Sequence, residues 1–290
     1  MTAESVREVL TEAEVASQTV QHTRQIAEGI RARHLATPLA EVMTLATSDD
    51  TNFAAGQLGE RQYDYAPVVD DRGRVVGVVA LKDLSRGTSV GECSDGLHEC
   101  AVVSADTGLP DELRFLQEDP FLLVLEGRHV GAILTPADLG RPASRTYFYL
   151  LLAQLEIALA AVIRQDYPDQ ALALKMLTPE RHESIQGLLS DLRARDDLID
   201  EVAALSLTDL LRVAASNDAY KEAFVSGPWS WRSLSGELGR FRNDVMHPVR
   251  EFREASPEGM RKLLDQVRRL EHLTSASVSF LHTSPKEFNG

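Results

Sequence analysis

The sequence predicts an α+β protein in three parts: an N-terminal helical arm over residues 1–33, a duplicated α/β module over 34–142, and an all-α helical bundle over 143–290. Three observations predict this. Apolar residues recur at helical spacing near both ends of the chain, short β-rich runs joined by Asp and Gly turns fill the middle, and the middle repeats itself. At 290 residues the chain exceeds a typical domain of roughly 100–150 residues, so more than one unit is expected.

In the arm, Val6, Val9, Leu10, Val15, Val20, Ile26 and Ile30 lie among Glu, Arg, Gln and Thr at a spacing that fits one or two amphipathic helices. This apolar stripe is too thin to stand alone. A later domain or a second copy of the chain must cover it.

From Leu39 to Leu139 the texture changes. The run Tyr65–Leu84 reads as a strand, an Asp/Gly turn, a second strand and a helix start. A shift of 55 positions aligns Asp64 with Asp119, Val69 with Val124, Val78-Val79 with Ile133-Leu134, and Asp83-Leu84 with Asp138-Leu139. Upstream, Asp50-Thr51 pairs with Asp106-Thr107 at 56. A match of this length marks a duplicated module.

On Ala66-Pro67-Val68-Val69-Asp70, Gly77-Val78-Val79-Ala80-Leu81-Lys82-Asp83 and Leu134-Thr135-Pro136-Ala137-Asp138, the segment resembles a tandem pair of cystathionine-β-synthase (CBS) domains, the Bateman-type module. The resemblance places the first repeat at 34–88 and the second at 89–142. It implies a regulatory pair that binds an adenosine nucleotide of AMP or ATP type, or S-adenosylmethionine, between its repeats. Such a molecule is a regulatory ligand, and no cofactor is required. In that family a Thr or Ser three residues before an Asp contacts phosphate and ribose hydroxyls. Thr135 and Asp138 match this pattern, and Asp83 is the counterpart of Asp138 in the first repeat. The chemistry is sound, because a carboxylate accepts both ribose hydroxyls. The first repeat departs from the pattern with Ala80 in place of the hydroxyl residue, and the second has Ala132 where Gly is usual, so one competent site is expected. The plainer alternative is that Asp83 and Asp138 only start helices.

After Pro142 the pattern is helical, with helices predicted over 143–164, 169–195, 198–225, 231–246 and 257–282. Pro168, Pro179, Pro228 and Pro257 mark the breaks, and Ser256-Pro257-Glu258 is a strong helix start. A bundle of four to five helices follows.

Within it lies Arg242-Asn243-Asp244-Val245-Met246-His247-Pro248. On a helix, Asn243 and His247 share a face, Arg242 lies about 100° round the axis, and Pro248 ends the helix beside the imidazole. This set suits RNA cleavage without a metal. A histidine titrating near pH 6.5 can take the proton of a ribose 2′-hydroxyl or return one to the leaving oxygen, while an arginine fork holds the phosphate oxygens and an asparagine orients either partner. The segment resembles the R-x-x-x-x-H signature of HEPN domains, small helical bundles in which Arg242, Asn243 and His247 match the motif positions. The resemblance implies a metal-independent endoribonuclease that works as a homodimer. The plainer reading caps a helix with His247 and pairs Arg242 with Glu237. Trp229 and Trp231 are read as anchors of the motif helix, and His182, His272 and His282 as ordinary residues, since no second histidine completes a zinc-binding pattern.

The balance of 30 Lys and Arg against 44 Asp and Glu, net −14, argues against broad nucleic-acid binding. Between Trp229 and Glu271, however, nine basic residues face seven acidic ones, so local, salt-dependent RNA contact is compatible with the charge. Cys93 and Cys100 form no disulfide framework or zinc pattern, and no leader segment opens the chain, so a cytoplasmic protein is expected. The apolar run Tyr147–Ile163 is interrupted by Gln154 and Glu156 and reads as a buried helix, with no membrane partner. The leading reading is a nucleotide-sensing module that regulates a HEPN-type nuclease. The alternative is a non-catalytic ligand sensor whose helical domain dimerises or docks a partner.

Overall fold

Helix α1 (Glu12–Glu28) opens with a reciprocal cap. The Thr11 backbone N–H donates to Glu14 Oε2 at 2.6 Å and the Glu14 N–H donates to Thr11 Oγ1 at 3.3 Å. Its buried stripe is Ala16, Val20 and Ala27. Glu12 pairs with Arg164 at 3.2 Å and Ser17 Oγ meets His282 Nε2 at 3.0 Å, so later helices of the same chain meet one side of α1, while Leu10, Val15 and Ile26 of the expected apolar stripe are exposed. The computed structural model describes residues 10–195, 200–224, 231–247 and 256–283, which leaves Val6, Val9, Trp229 and Pro248 outside the described residues. Two compact units divide the chain: one holds α1 with residues 146–250 and 265–290, the other holds residues 28–145 and 251–264. Within the arm expected over 1–33, residues 12–27 of α1 fall in the helical unit and residues 28–33 in the other.

The second unit is the duplicated α/β module. Its first repeat runs α2 (Ala32–Leu35), β1 (Thr37–Pro38), β2 (Leu45–Ala46), α3 (Thr51–Arg61), β3 (Tyr65–Val69) and β4 (Val75–Ala80), closed by a short helical turn at Leu81–Arg86. The second runs α4 (Val90–Cys93), β5 (Asp95–Gly96), β6 (Val102–Ser104), α5 (Leu109–Phe115), β7 (Leu122–Glu126) and β8 (His129–Leu134), closed by Pro136–Gly140. Asp50 caps α3 by accepting from Asn52 N at 2.9 Å and Phe53 N at 3.1 Å. The β3–β4 turn is held by Asp70, which accepts from Arg72 N and Arg74 N at 2.9 Å each, with Gly73 at φ +72°.

The repeats exchange their leading strands. One sheet has the order β2-β3-β4-β5 and the other β1-β8-β7-β6, so β1 of the first repeat pairs with β8 and β5 of the second pairs with β4. Gly77 makes the second exchange possible. It sits opposite Gly96, and a β-carbon there would lie 2.1 Å from the Asp95 carbonyl oxygen. The corresponding Ala132 pairs with Pro38 and keeps its methyl group. Tyr65 and Phe121, with ring centres 5.2 Å apart, join Val75, Val78, Leu123 and Ile133 in a core shared by both sheets.

The helical unit is built on α6 (Pro142–Asp166), which is apolar on nearly all sides. It is long and apolar enough by length and composition to cross a membrane, yet Phe148, Leu152, Leu155, Ala158, Leu159, Val162 and Ile163 are all buried, as a core helix requires. The helical pattern expected over 169–195 divides into α7 (Gln170–Leu174) and α8 (Pro179–Ala194) at the break that Pro179 marks, where Thr178 caps the new helix. The next becomes α9 (Leu207–Ala214), begun by the Ser206 cap, and α10 (Asp218–Phe224), before which Asn217 Oδ1 accepts from the Tyr220 N–H at 3.1 Å. α11 (Trp231–Met246) and α12 (Pro257–Thr283) follow their expected spans closely. Tyr220, fully buried, sits edge-on to Phe280 at 5.4 Å and bonds Ser277 at 3.0 Å.

Asp209, 4% exposed, ties two of these helices. Burial alone would raise its carboxyl, but bonds from Arg181 and Ser206 outweigh that and hold it below the usual range. Arg181 donates to it at 2.8–3.2 Å, and Ser206 Oγ at 2.6 Å. Asp209→Ala is expected to lower stability by about 2 kcal/mol, below the range for a fully buried pair because Arg181 remains partly solvated. Arg181→Gln should cost less. Equal losses in urea melts of the two variants would contradict this account.

Candidate functional site

Asp138 is the most enclosed polar group of the expected ligand site. It is 6% exposed, and both carboxylate oxygens are engaged. Oδ2 accepts from the Thr135 backbone N–H at 2.7 Å and Thr135 Oγ1 at 2.9 Å. Oδ1 accepts from Thr37 Oγ1 at 2.9 Å and lies 3.1 Å from Arg141 Nε. The same guanidinium donates to the carbonyls of Leu35 and Ala36 at 2.9 and 3.2 Å and to Thr37 Oγ1 at 2.6 Å. Thr135 and Asp138 are thus brought together, with Thr37 delivered by the exchanged strand β1. In the first repeat Asp83, 8% exposed, pairs with Arg86 at 2.8 Å, while Ala80 supplies no hydroxyl and Asp95 stands on the exchanged strand where Thr37 stands in the other sheet. A cleft of about 470 Å3 opens elsewhere in this unit, lined by residues of both hairpins including Arg74, Arg128 and His129, and the Asp138 cluster does not line it.

The second candidate site lies on α11. Phe241 and Val245 are buried, with Phe241 edge-on to Phe148 of α6 at 5.5 Å, so the helix turns Asn243 and His247 outward. His247 directly follows the last residue of α11, Met246. Gly239 lets α11 approach α9 closely, since a β-carbon there would meet Thr208 Oγ1 at 2.9 Å. Arg242 is half-buried, and its Nε is 3.9 Å from Glu156 Oε1 of α6. Burial raises the Glu156 carboxyl, and Arg242 partly offsets this. The alternative pairing of Arg242 with Glu237 does not occur. Glu237 bonds Arg269, which also holds Asp265 at 2.6 Å. Arg242 and Asn243 therefore lie on the outer surface of α11 with His247 just past its end, and the arginine is not locked in a buried ion pair.

Compared with known families, residues 32–88 match the CBS-domain model. Residues 32–88 are a CBS domain. Among solved structures, the chain is similar to the CBS-pair protein CBSX2 from Arabidopsis thaliana, at 26% identity over 40% of this chain and 96% of that one, with a TM-score of 0.37. It is similar to the same protein in complex with AMP, at 26% identity over 40% of this chain and 98% of that one, TM-score 0.37. It is also similar to the CBS domain of the bacterial CNNM/CorC family Mg2+ transporter in complex with ATP, at 18% identity over 46% of this chain and 96% of that one, TM-score 0.35. No curated protein matches the chain.

The CBS domain accounts for the first repeat, and the second follows the same order of elements. Sequence reasoning missed Thr37, Arg141 and Glu156. Arg141 had a signal, because the 55-residue shift that aligns Asp83 with Asp138 also aligns Arg86 with Arg141. Thr37 had none, since its place beside Asp138 depends on the exchanged strand. Among the described residues, no group of His, Cys, Asp and Glu assembles that could hold a metal ion.

Proposed function

We propose that the CBS module senses an adenosine nucleotide of AMP or ATP type and regulates a HEPN-type, metal-independent endoribonuclease in the helical unit, working as a homodimer. The Thr37–Thr135–Asp138 cluster supports the sensing half: two hydroxyls and a buried carboxylate at a strand-to-helix junction match the needs of phosphate and ribose. The nuclease half is carried by one observation, the outward face of α11 with Asn243 and His247 exposed beside a loosely paired Arg242.

In the proposed reaction His247 takes the proton from a ribose 2′-hydroxyl as the oxygen attacks the adjacent phosphorus. The bond to the 5′-oxygen breaks, the imidazolium returns the proton to that oxygen, and the products are a 2′,3′-cyclic phosphate and a 5′-hydroxyl. Arg242 holds the non-bridging oxygens as charge builds, and Asn243 orients the reacting groups. The test is cleavage of a mixed RNA pool in EDTA, with and without AMP or ATP. His247→Ala is expected to lower the rate by about 10²–10⁴-fold with the fold intact, and cleavage should weaken steeply with added salt. Intact RNA under every condition, or wild-type cleavage by His247→Ala, would overturn the nuclease reading. The Arg242–Glu156 pair favours a second reading, in which this face is structural and the helical unit docks a partner. In that case Arg242→Ala changes stability and not RNA turnover.

A further inference from the structure

Arg141 stands immediately before α6 and fills the hydrogen-bonding groups of the second-repeat site. Its guanidinium spans four acceptors: the Leu35 and Ala36 carbonyls, Thr37 Oγ1 and Asp138 Oδ1. The two repeats differ here in an informative way. Arg86, its counterpart, touches Asp83 and has a side chain 70% exposed, whereas the Arg141 side chain is 38% exposed and Asp138 only 7%. The arginine of the second repeat is held as a ligand would be held.

We propose that Arg141 is an internal occupant of the second-repeat site and its specificity-determining residue: only an adenosine compound that carries phosphate displaces it. This rests on the nucleotide-sensing reading and sharpens it. Asp138 cannot accept from ribose hydroxyls while Oδ1 is engaged by Thr37 and Arg141. Drawing the guanidinium away leaves an enclosed carboxylate with neutral donors only, which is unfavourable unless the displaced cation gains a new anion nearby. A phosphate supplies that anion with geometry matched to the planar fork, so ribose and phosphate exchange places with the internal pair without loss of charge pairing. Adenosine offers hydroxyls to Asp138 and nothing to Arg141. S-Adenosylmethionine brings a net positive charge to a site that already holds a cation, and its single carboxylate is offset by its own ammonium group. Both are disfavoured for a reason of charge and not of shape.

The experiment is calorimetric titration of the full chain with AMP, ATP, adenosine and S-adenosylmethionine, on wild type, Arg141→Gln and Arg141→Lys. Wild type is expected to bind AMP or ATP at least about tenfold more tightly than adenosine, a gap of about 1.4 kcal/mol. In Arg141→Gln this preference should collapse, through weaker nucleotide binding and stronger adenosine binding together. Arg141→Lys keeps the charge but cannot span four acceptors, so it should retain part of the preference. Equal wild-type affinity for adenosine and AMP, or an unchanged preference in Arg141→Gln, overturns the role of Arg141 while the sensing reading stands. Absence of any nucleotide binding in all three proteins overturns the sensing reading itself. Should Arg141→Gln fail to fold, the wild-type preference and the Arg141→Lys titration decide the matter.

Discussion

Gly77→Ala is expected to destabilise the first CBS repeat by at least about 3 kcal/mol, at the upper end of what overpacking costs. The methyl group would be placed 2.1 Å from the Asp95 carbonyl oxygen and 3.1 Å from its carbon. These are backbone atoms of β5, the strand donated by the second repeat, so relief requires breaking the Gly77–Gly96 and Val78–Asp95 pairing. That pairing is what closes the first sheet, and its loss should expose Val75 and Val78 of the shared core. Gly131→Ala is the control. Its nearest neighbour is Glu126 Oε2 at 2.8 Å, the far end of a flexible side chain, and the substitution should cost little. Urea denaturation monitored by circular dichroism reads both. A Gly77→Ala protein within about 0.5 kcal/mol of wild type, the range of an ordinary surface change, would mean that the exchanged strand is not seated as described.

The second large effect is expected at Glu112 of α5. It is fully buried, and neither carboxylate oxygen has a hydrogen-bond partner. Burial, with a smaller contribution from Asp111, pushes its carboxyl up to about 8, and Arg31 offsets only part of this. The folded protein therefore keeps Glu112 protonated at neutral pH, while the unfolded chain ionises near 4.5. The unfolded state then binds fewer protons across that interval, so stability falls as pH rises from about 4.5 to about 8 and levels off above it. The slope has an upper bound of about 1.4 kcal/mol per pH unit. Glu112→Met keeps the volume and removes the titration. It should melt above wild type at pH 8, with a difference that shrinks steadily toward pH 4.5. Parallel pH profiles for the two proteins would show that Glu112 is solvated and charged in the fold.

Much of the architecture is legible in local pattern. The 55-residue repeat announces two copies of one module, and Asp70 with Gly73 marks the hairpin that both copies carry. Pro142, Pro179 and Pro257 each lie at the first residue of a helix, as their missing N–H and fixed φ favour. Over 169–195 and 198–225 continuous amphipathic spacing hides where one helix gives way to the next. That spacing does not register side chains such as Thr178 and Asn217, which cap the start of a new helix. The face of α11 was also legible, since Phe241 and Val245, four apart, must share the buried side and leave Asn243 and His247 opposite.

Local pattern settled the α+β class, the duplication, the helix starts at Pro179 and Pro257 and the outward face of α11, because those depend on neighbours within a few positions along the chain. It misplaced the buried stripe of α1, where Val15 and Ile26 are exposed. The tertiary structure alone decided which strand each repeat donates to the other, that Thr37 and Arg141 meet Asp138, that Arg242 faces Glu156 and not Glu237, and that Glu112 is sealed from water. Each of these joins or buries groups through packing of elements distant in sequence. Burial and pairing of that kind arise when the elements assemble, and no local periodicity encodes them.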